Sequence, residues 1–343
     1  MQEDLNKSLV ENGFLELTKK LENKEISPLT FKNKNNTKFT LATSGVLKVE
    51  PEHQSNSEQS IDLIISSGVH GNETAPIEIV DRLVAAITSG NLPVKNRVLF
   101  IIGNPVAMNK GERFDIENMN RLFNGKHVGK DHHEAERAKL LESLVQEFYE
   151  SGDSGERRHY DLHTAIRSSK YKKFAVYPYP DGRSWNKQQL EFFLASDIST
   201  VLLGHQPAGT FSYFTSHKFN AHGFTVELGK VKPFGENDAS EFDAIESNLR
   251  KLIAGDSVRT KPFENNDFKL FQVIDELVKK SEKFELNIAD DVENFSDFQE
   301  GFVLASDEGA DYIVQKTGDA IVFPNANIPV GQRAGLIVRR VDI

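Results

Sequence analysis

The alternation of hydrophobic and polar positions predicts strands and helices in turn from the start of the chain to about residue 255. Short apolar runs predict buried strands, and apolar residues that recur with a helical period predict amphipathic helices. The predicted strands are residues 39–42, 45–49, 61–66, 98–103, 159–163, 174–177, 200–204 and 224–228, and the predicted helices are residues 1–35, 75–89, 133–150, 187–197 and 239–254. Buried strands that alternate with amphipathic helices indicate a three-layer α/β domain with a mainly parallel or mixed sheet.

After Gly255 the pattern changes to short β-like runs separated by turns rich in Asn, Asp, Gly and Pro. These runs are residues 270–273, 284–288, 301–305, 321–323 and 334–338. We therefore predict two domains, an α/β domain of residues 1–255 and a smaller, mainly β domain of residues 256–343.

Composition and charge narrow the classes of partner, location and metal ligand that the chain can have. The chain has 343 residues, no cysteine and a formal net charge of -10. The charge argues against nucleic acid or an anionic membrane as a partner, because both require a basic face, but it does not exclude a small acidic substrate. No apolar run approaches the roughly 18 residues of a membrane span, and Met1–Lys7 does not have the pattern of a signal peptide. A cytoplasmic location fits these features, and any metal ion must be bound by His and carboxylate ligands.

Polar side chains follow two of the predicted strands where the strands end. His70 and Glu73 lie in a glycine-rich turn between strand 61–66 and helix 75–89, and His163 closes strand 159–163. Open α/β proteins bind ligands at this carboxyl edge. Two His and one Glu make a catalytic zinc set with one position left for water. The alternatives are a surface His beside a Glu and a core His163 bonded to a carbonyl. Asp161 either orients His163 or bonds to the backbone.

A single carboxylate, Glu227, interrupts the apolar strand 224–228. Burying a carboxylate is costly unless the group is paired or functional. Glu227 is therefore a candidate general base for a metal-dependent hydrolysis, with a salt-bridged structural role as the alternative.

Arginines lie on the long connection that follows strand 98–103. Arg113, and Asn120 with Arg121, are candidates to bind an anionic oxygen, because a guanidinium fork suits a carboxylate or a developing oxyanion. Arginines on loops are more commonly solvated, which is the alternative. Five further histidines are expected to be surface or structural residues: His132, His133, His205, His217 and His222.

Taken together, these motifs resemble the succinylglutamate desuccinylase and aspartoacylase branch of the zinc carboxypeptidase superfamily. The resemblance is carried by Gly68–Glu73, Gly103–Pro105, Arg113–Phe114, Asn120–Phe123, Asp161–Thr164 and Glu227–Gly229, in the order of the family and at its approximate spacing, and it extends to the ending Pro329–Leu336. It implies a zinc-carboxypeptidase-like fold with a mixed central sheet and a C-terminal β domain that caps the active-site cleft.

The resemblance also implies roles for single residues. One zinc ion per chain would be bound by His70, Glu73 and His163, and Glu227 would act as the general base and then as the acid. Arg113 would polarise the scissile carbonyl, and Asn120 with Arg121 would bind a substrate carboxylate. One feature of the family does not transfer, because aspartoacylases are expected to use a C-terminal tyrosine and residues 323–328 contain none.

The activity that the resemblance implies is hydrolysis of N2-succinyl-L-glutamate to succinate and L-glutamate, the last step of arginine degradation by the succinyl route. This substrate carries three carboxylates, so a further cation is expected in the pocket, with Arg167 as the first candidate and His217 or Lys218 as further ones. The alternatives are another N-acyl amino acid such as N-acetyl-aspartate, a peptide in a metallocarboxypeptidase, and a zinc protein without catalysis. The oligomeric state is left open.

Overall fold

The structure is a computed structural model that describes residues 2–52 and 60–343. Its helices are α1 Gln2–Leu21, α2 Thr74–Thr88, α3 Pro105–Lys110, α4 His133–Glu150, α5 Lys187–Ala195, α6 Phe211–Phe219 and α7 Asp243–Ala254. Its strands are β1 Leu29–Lys32, β2 Lys38–Thr43, β3 Val46–Glu50, β4 Ile61–Ser67, β5 Arg97–Ile102, β6 Glu156–Ala165, β7 Phe174–Tyr177, β8 Thr200–Leu203, β9 His222–Lys230, β10 Lys269–Val278, β11 Glu285–Leu286, β12 Ser296–Asp297, β13 Val303–Asp307, β14 Ala310–Ile313, β15 Ala320–Val322 and β16 Arg333–Val341.

One mixed sheet of 13 strands runs through the described part of the chain. Its strand order is β1-β2-β3-β5-β4-β6-β9-β7-β8-β10-β16-β15-β12, and a second sheet consists of β11-β13-β14. The strands β5, β4, β6 and β9 are parallel neighbours, whereas β7 runs antiparallel to β9. Four parallel strands in the middle of the sheet therefore bring the segments that follow them to one edge.

Two apolar cores cover the two faces of this sheet, which confirms the three-layer prediction. Alternate residues of β4 enter different cores: Leu63 and Ile65 pack with residues of α1, α2, α5 and α7, and Ile64 packs with residues of α4 and α6. This is the alternation expected of a strand buried on both faces. A third core lies on the C-terminal side and joins Phe174 and Leu202 to residues of β10 and β16.

The predicted strands before Gly255 are confirmed within three residues at each end, and helix 133–150 is confirmed over its full length. The prediction of a helix over residues 1–35 is wrong beyond Leu21, because Leu29–Lys32 pairs with β2 as strand β1. Helix 239–254 begins with a 3-10 turn, Ala239–Phe242, capped by Asp238. Helices α3 and α6 and strands β12 and β14 were not predicted. The domain boundary near residue 255 stays a prediction.

Among the helices that the structure describes, none combines the length and apolar character that a membrane crossing requires.

Candidate metal centre and active-site cleft

Strand register brings the predicted site residues together. Strands β4 and β6 are parallel, with Ser66 opposite Asp161, so the turn after β4 and the end of β6 lie at the same edge. Strand β9 follows β6 in the sheet, with Glu227 opposite His163. Residues that are far apart in sequence therefore share one cleft because of the parallel pairing.

The turn between β4 and α2 depends on two glycines. Gly68 has φ of +61°, a conformation that side-chain-bearing residues rarely adopt. A Cβ atom on Gly71 would lie 2.2 Å from the backbone carbon of Ala107 and 2.2 Å from the nitrogen of Met108. Helix α3 thus packs directly against the backbone of the turn, and this contact fixes the position of the side chains on either side of Gly71.

His70, Glu73 and His163 form a buried group that could bind a metal ion. Their exposed fractions are 3%, 1% and 1%, and their ligand atoms lie within 4.8 Å of one another. The Nδ1 atom of each histidine is 2.9 Å from a Glu73 carboxylate oxygen, and the two Nδ1 atoms are 3.2 Å apart. Two imidazole nitrogens and a carboxylate that face one point are a typical donor set for a divalent transition metal.

The electrostatics of this group favour a cation. Burial and the charge of Arg113 lower the pKa of His70 to about 4, so its imidazole is neutral and able to act as a ligand. Burial alone would lower the pKa of His163, but the carboxylates of Asp161 and Glu73 outweigh it and raise that pKa well above the ordinary value. The carboxylates on both sides of His163 therefore attract positive charge to the centre.

Hydrogen bonds behind the two histidines fix their ring orientations. The Nε2–H group of His70 donates to Asn118 Oδ1 over 2.9 Å, and the Nε2–H group of His163 donates to Asp161 Oδ2 over 2.9 Å. Ser66 Oγ donates to the other Asp161 oxygen over 2.5 Å. Each Nδ1 atom is thereby turned toward Glu73, which is the usual arrangement behind metal-bound histidines. Sequence reasoning gave Asp161 this role as one alternative and missed Asn118.

Glu227 is a buried carboxyl group whose Oε2 atom has no hydrogen-bond partner among the described residues. Its exposed fraction is 7%. Burial, with the nearby negative charge of Glu73, raises the pKa of Glu227 to about 7. A carboxyl group with a free oxygen and a pKa near neutrality can accept a proton at the start of a reaction and return it later. The salt-bridged alternative is not supported, because no ion pair to Glu227 is present among the described residues.

Arg113 reaches the same group from the connection after α3. Its Nη1 atom donates to Glu73 Oε1 over 2.6 Å, and its side chain is 28% exposed. The buried carboxylate of Glu134, at the start of α4, holds this connection in shape. It accepts hydrogen bonds from the backbone nitrogens of residues 115, 116 and 117 over 2.8, 2.9 and 2.6 Å, and from Asn104 Nδ2 over 2.9 Å. Sequence reasoning missed Glu134, which looks like an ordinary helix-surface residue.

Asn120 and Arg121 lie beside the loop that follows β8. Asn120 Oδ1 accepts a hydrogen bond from the nitrogen of Phe211 over 2.9 Å, so its amide nitrogen faces away from that contact. Arg121 Nη1 donates to the Asn120 carbonyl over 2.8 Å, and no described carboxylate is within 4.0 Å of its guanidinium. Arg121 is exposed, and the positive charges of Arg333 and Arg113 act on its guanidinium. An unpaired guanidinium in a cleft is suited to an anionic ligand.

The other candidates lie elsewhere. Arg167 donates a hydrogen bond to the carbonyl of Asp290, and the structure gives it no contact with the His70, Glu73 and His163 group. His217 bonds to Asp181, and Lys218 is exposed. Four further histidines are half-buried and lie near carboxylates: His132 near Glu117, His133 near Asp115, His205 near Glu276 and His222 near Glu156.

Comparisons with known proteins identify the family to which the chain is similar. Residues 59–253 match the succinylglutamate desuccinylase/aspartoacylase catalytic domain, and residues 266–341 match the AstE/AspA barrel-sandwich hybrid domain. The chain is 48% identical to a succinylglutamate desuccinylase of Idiomarina loihiensis over 312 residues, which cover 90% of each chain. It is 45% identical to that of Pseudoalteromonas atlantica over 317 residues, which cover 91% of this chain and 89% of the relative.

Solved structures give the same result at the level of the fold. The structure of succinylglutamate desuccinylase from Vibrio parahaemolyticus superposes with a TM-score of 0.87 at 36% identity, covering 98% of this chain and 97% of the other. The enzyme of the same name from Vibrio cholerae gives a TM-score of 0.89 at 33% identity, with coverage of 97% and 96%.

Proposed function

This chain belongs to the succinylglutamate desuccinylase/aspartoacylase family, and from that premise we propose that it hydrolyses N2-succinyl-L-glutamate to succinate and L-glutamate. The reaction is the last step of arginine degradation by the succinyl route. The observation that carries the proposal is the buried group of His70, Glu73 and His163 beside Glu227, a carboxyl group with a free oxygen.

The metal ion in this proposal is zinc, one per chain, on His70, Glu73 and His163. The support is the donor set, two imidazole nitrogens and one carboxylate on a chain without cysteine, with a hydrogen bond behind each ring. When bound, zinc supplies Lewis acidity to the reacting water and to the amide carbonyl.

Glu227 is proposed to move the proton. Its carboxylate accepts a proton from the attacking water and then gives that proton to the amide nitrogen, which leaves as the amino group of glutamate. Burial raises the pKa of Glu227 in the metal-free site, and a bound cation would favour its ionised form, which accepts the proton.

Arg113 is proposed to stabilise the negative charge that develops on the carbonyl oxygen. Its guanidinium already contacts the Glu73 carboxylate over 2.6 Å and remains 28% exposed, so it has donors left for a substrate. Removing a donor of this kind typically slows catalysis by about 10²- to 10³-fold.

Asn120 and Arg121 are proposed to bind a substrate carboxylate. A second proposal concerns residues 256–343, which would form the C-terminal domain that caps the cleft. The support for the cap is the position of Glu276 and Arg333, whose charges act on Arg121. Arg167 would have to break its hydrogen bond with the carbonyl of Asp290 to bind another substrate carboxylate.

A substrate comparison tests the proposal. We expect glutamate release from N-succinyl-L-glutamate, little release of amino acid from N-acetyl-L-aspartate or a short peptide, and loss of activity with a chelator that is reversed by added zinc. Activity that is undiminished after complete metal removal would contradict the metal-dependent mechanism. Faster turnover of N-acetyl-L-aspartate would move the assignment to the aspartoacylase side of the family.

A further inference from the structure

A second arginine, Arg333, lies on the C-terminal side of the cleft. It is the first residue of β16 and pairs with Val278 at the end of β10. Its Nη1 atom is 3.3 Å from Glu276 Oε1, and His205 Nε2 is 3.6 Å from the same oxygen. The side chain of Arg333 is 33% exposed. This single long contact uses one of the five N–H donors of the guanidinium and leaves the others for a ligand.

The loop of residues 204–210 lies between Arg333 and Arg121. At one end of the loop, His205 approaches Glu276, the ion-pair partner of Arg333. At the other end, Gly209 accepts a hydrogen bond from the nitrogen of Phe123 over 3.1 Å, and a Cβ atom on Gly209 would lie 2.7 Å from the carbonyl oxygen of Arg121. Arg333 thus meets one end of the loop through Glu276, and the backbone of Arg121 packs against the other end.

The charges of this region are unbalanced. The positive charges of Arg333 and Arg113 act on Arg121, and the negative charge of Glu276 opposes them. Glu276 is shared between Arg333 and His205, and Arg121 has no carboxylate within 4.0 Å among the described residues. Like charges held close together are unfavourable until an anion binds between them, and a ligand carboxylate would relieve the repulsion.

We propose that Arg333 and Arg121 together form a carboxylate-binding subsite, in which Arg333 is a specificity-determining residue supplied by the C-terminal part of the chain. The inference rests on the proposed function, whose substrate carries three carboxylates. Asn120 and Arg121 present one guanidinium to one of these carboxylates, and Arg333 adds a second guanidinium to the same carboxylate from the C-terminal part of the chain.

The test replaces Arg333 and the substrate carboxylates in turn. kcat/KM is measured for the wild-type enzyme and Arg333→Gln on N-succinyl-L-glutamate and on three analogues, in each of which a different carboxylate is a neutral amide. We expect Arg333→Gln to lower kcat/KM by about 10- to 100-fold on the parent substrate, the range for a lost charged hydrogen bond. We expect the two enzymes to be equal on one analogue, which identifies the carboxylate that Arg333 binds.

The matched control is Arg340→Gln, which removes the same charge from the same strand, at a residue whose guanidinium bonds to the carbonyl of Phe268. This control substitution should leave kcat/KM unchanged on the parent substrate and on all three analogues. An equal loss on every substrate, or less than a twofold loss on the parent, would overturn the proposal for Arg333. If Arg333→Gln did not fold, Arg333→Lys would replace it, with a smaller loss and the same dependence on one carboxylate expected. A wild-type enzyme without activity on the parent substrate would instead refute the proposed function.

Discussion

The substitution Glu227→Gln tests two effects of this residue separately, its role in catalysis and its effect on the stability of the protein. The substitution keeps the size of the side chain but removes its ability to take a proton. We expect it to retain the metal and to lower kcat by about 10²- to 10⁴-fold, the usual contribution of a positioned general base. None of the three proposed metal ligands changes, so metal content per chain should equal that of the wild-type enzyme.

The same substitution should stabilise the metal-free protein at high pH. The pKa of Glu227 is raised from 4.5 to about 7, so the folded state binds this proton more tightly than the unfolded state does. As the pH rises from 4.5 to above 7, ionisation favours the unfolded chain by about 3 kcal/mol, and glutamine does not carry this penalty. Glu227→Gln should therefore be more stable than wild type by a few kcal/mol at pH 8 and equal to it below pH 4.5.

Urea denaturation of the metal-free proteins at several pH values measures the stability difference, and glutamate release with metal analysis measures the catalytic one. Glu236→Gln is the control, because Glu236 is exposed and near the end of the same strand, and it should change neither quantity. Near-normal turnover of Glu227→Gln would exclude Glu227 as the base. If the stability difference between Glu227→Gln and wild type were the same at acid and alkaline pH, the argument that burial raises the pKa of Glu227 would be refuted.

Three further substitutions address the supports of the site. His70→Ala should lose stoichiometric metal, measured by elemental analysis of the purified protein, and full retention of metal would disprove the ligand assignment. Asp161→Asn removes the carboxylate behind His163 and should weaken metal affinity by about 10- to 100-fold in a competition titration with a chelator, and an unchanged affinity would refute this role. Glu134→Gln replaces an acceptor oxygen with a donor against backbone N–H groups. We expect a loss of roughly 1–3 kcal/mol in urea denaturation and a lower kcat, and wild-type values of both would contradict the anchoring role of Glu134.

The sequence predicts the centre of the site because its residues lie at the ends of recognisable strands. Strand β9 is an apolar run interrupted by one acid, and this local contrast is enough to single out Glu227. The turn at His70 is found in the same way, since its glycines stand between a buried strand and an amphipathic helix. Parallel pairing then places these segments side by side, as the α/β pattern predicts.

Residues that act through distant partners are not predictable by such local contrasts. Glu134 lies in the first turn of a helix, where an acid is normally favoured by the helix dipole, and only the folded connection at residues 115–117 makes it a buried anchor. Arg333 begins strand β16 of the C-terminal part, and its proposed role depends on a loop that is more than 120 residues earlier. Helix α6 was missed because it is short and three of its seven buried residues are Ser or Thr, so its sequence lacks the apolar period of an amphipathic helix.

The continuous sheet has a consequence for protein engineering. Strand β10 pairs in parallel with β8, and β16 pairs with β10, so the C-terminal part extends the sheet that carries the metal-binding group. Removing it would expose the hydrogen-bonding edge of β8 and the apolar face of Phe174 and Leu202, which is a template for aggregation. The cleft therefore cannot be opened to bulkier acyl groups by truncation. Redesign has to work with side chains of the loop at residues 206–208, between the closely packed Gly204 and Gly209, where a substitution does not break a strand.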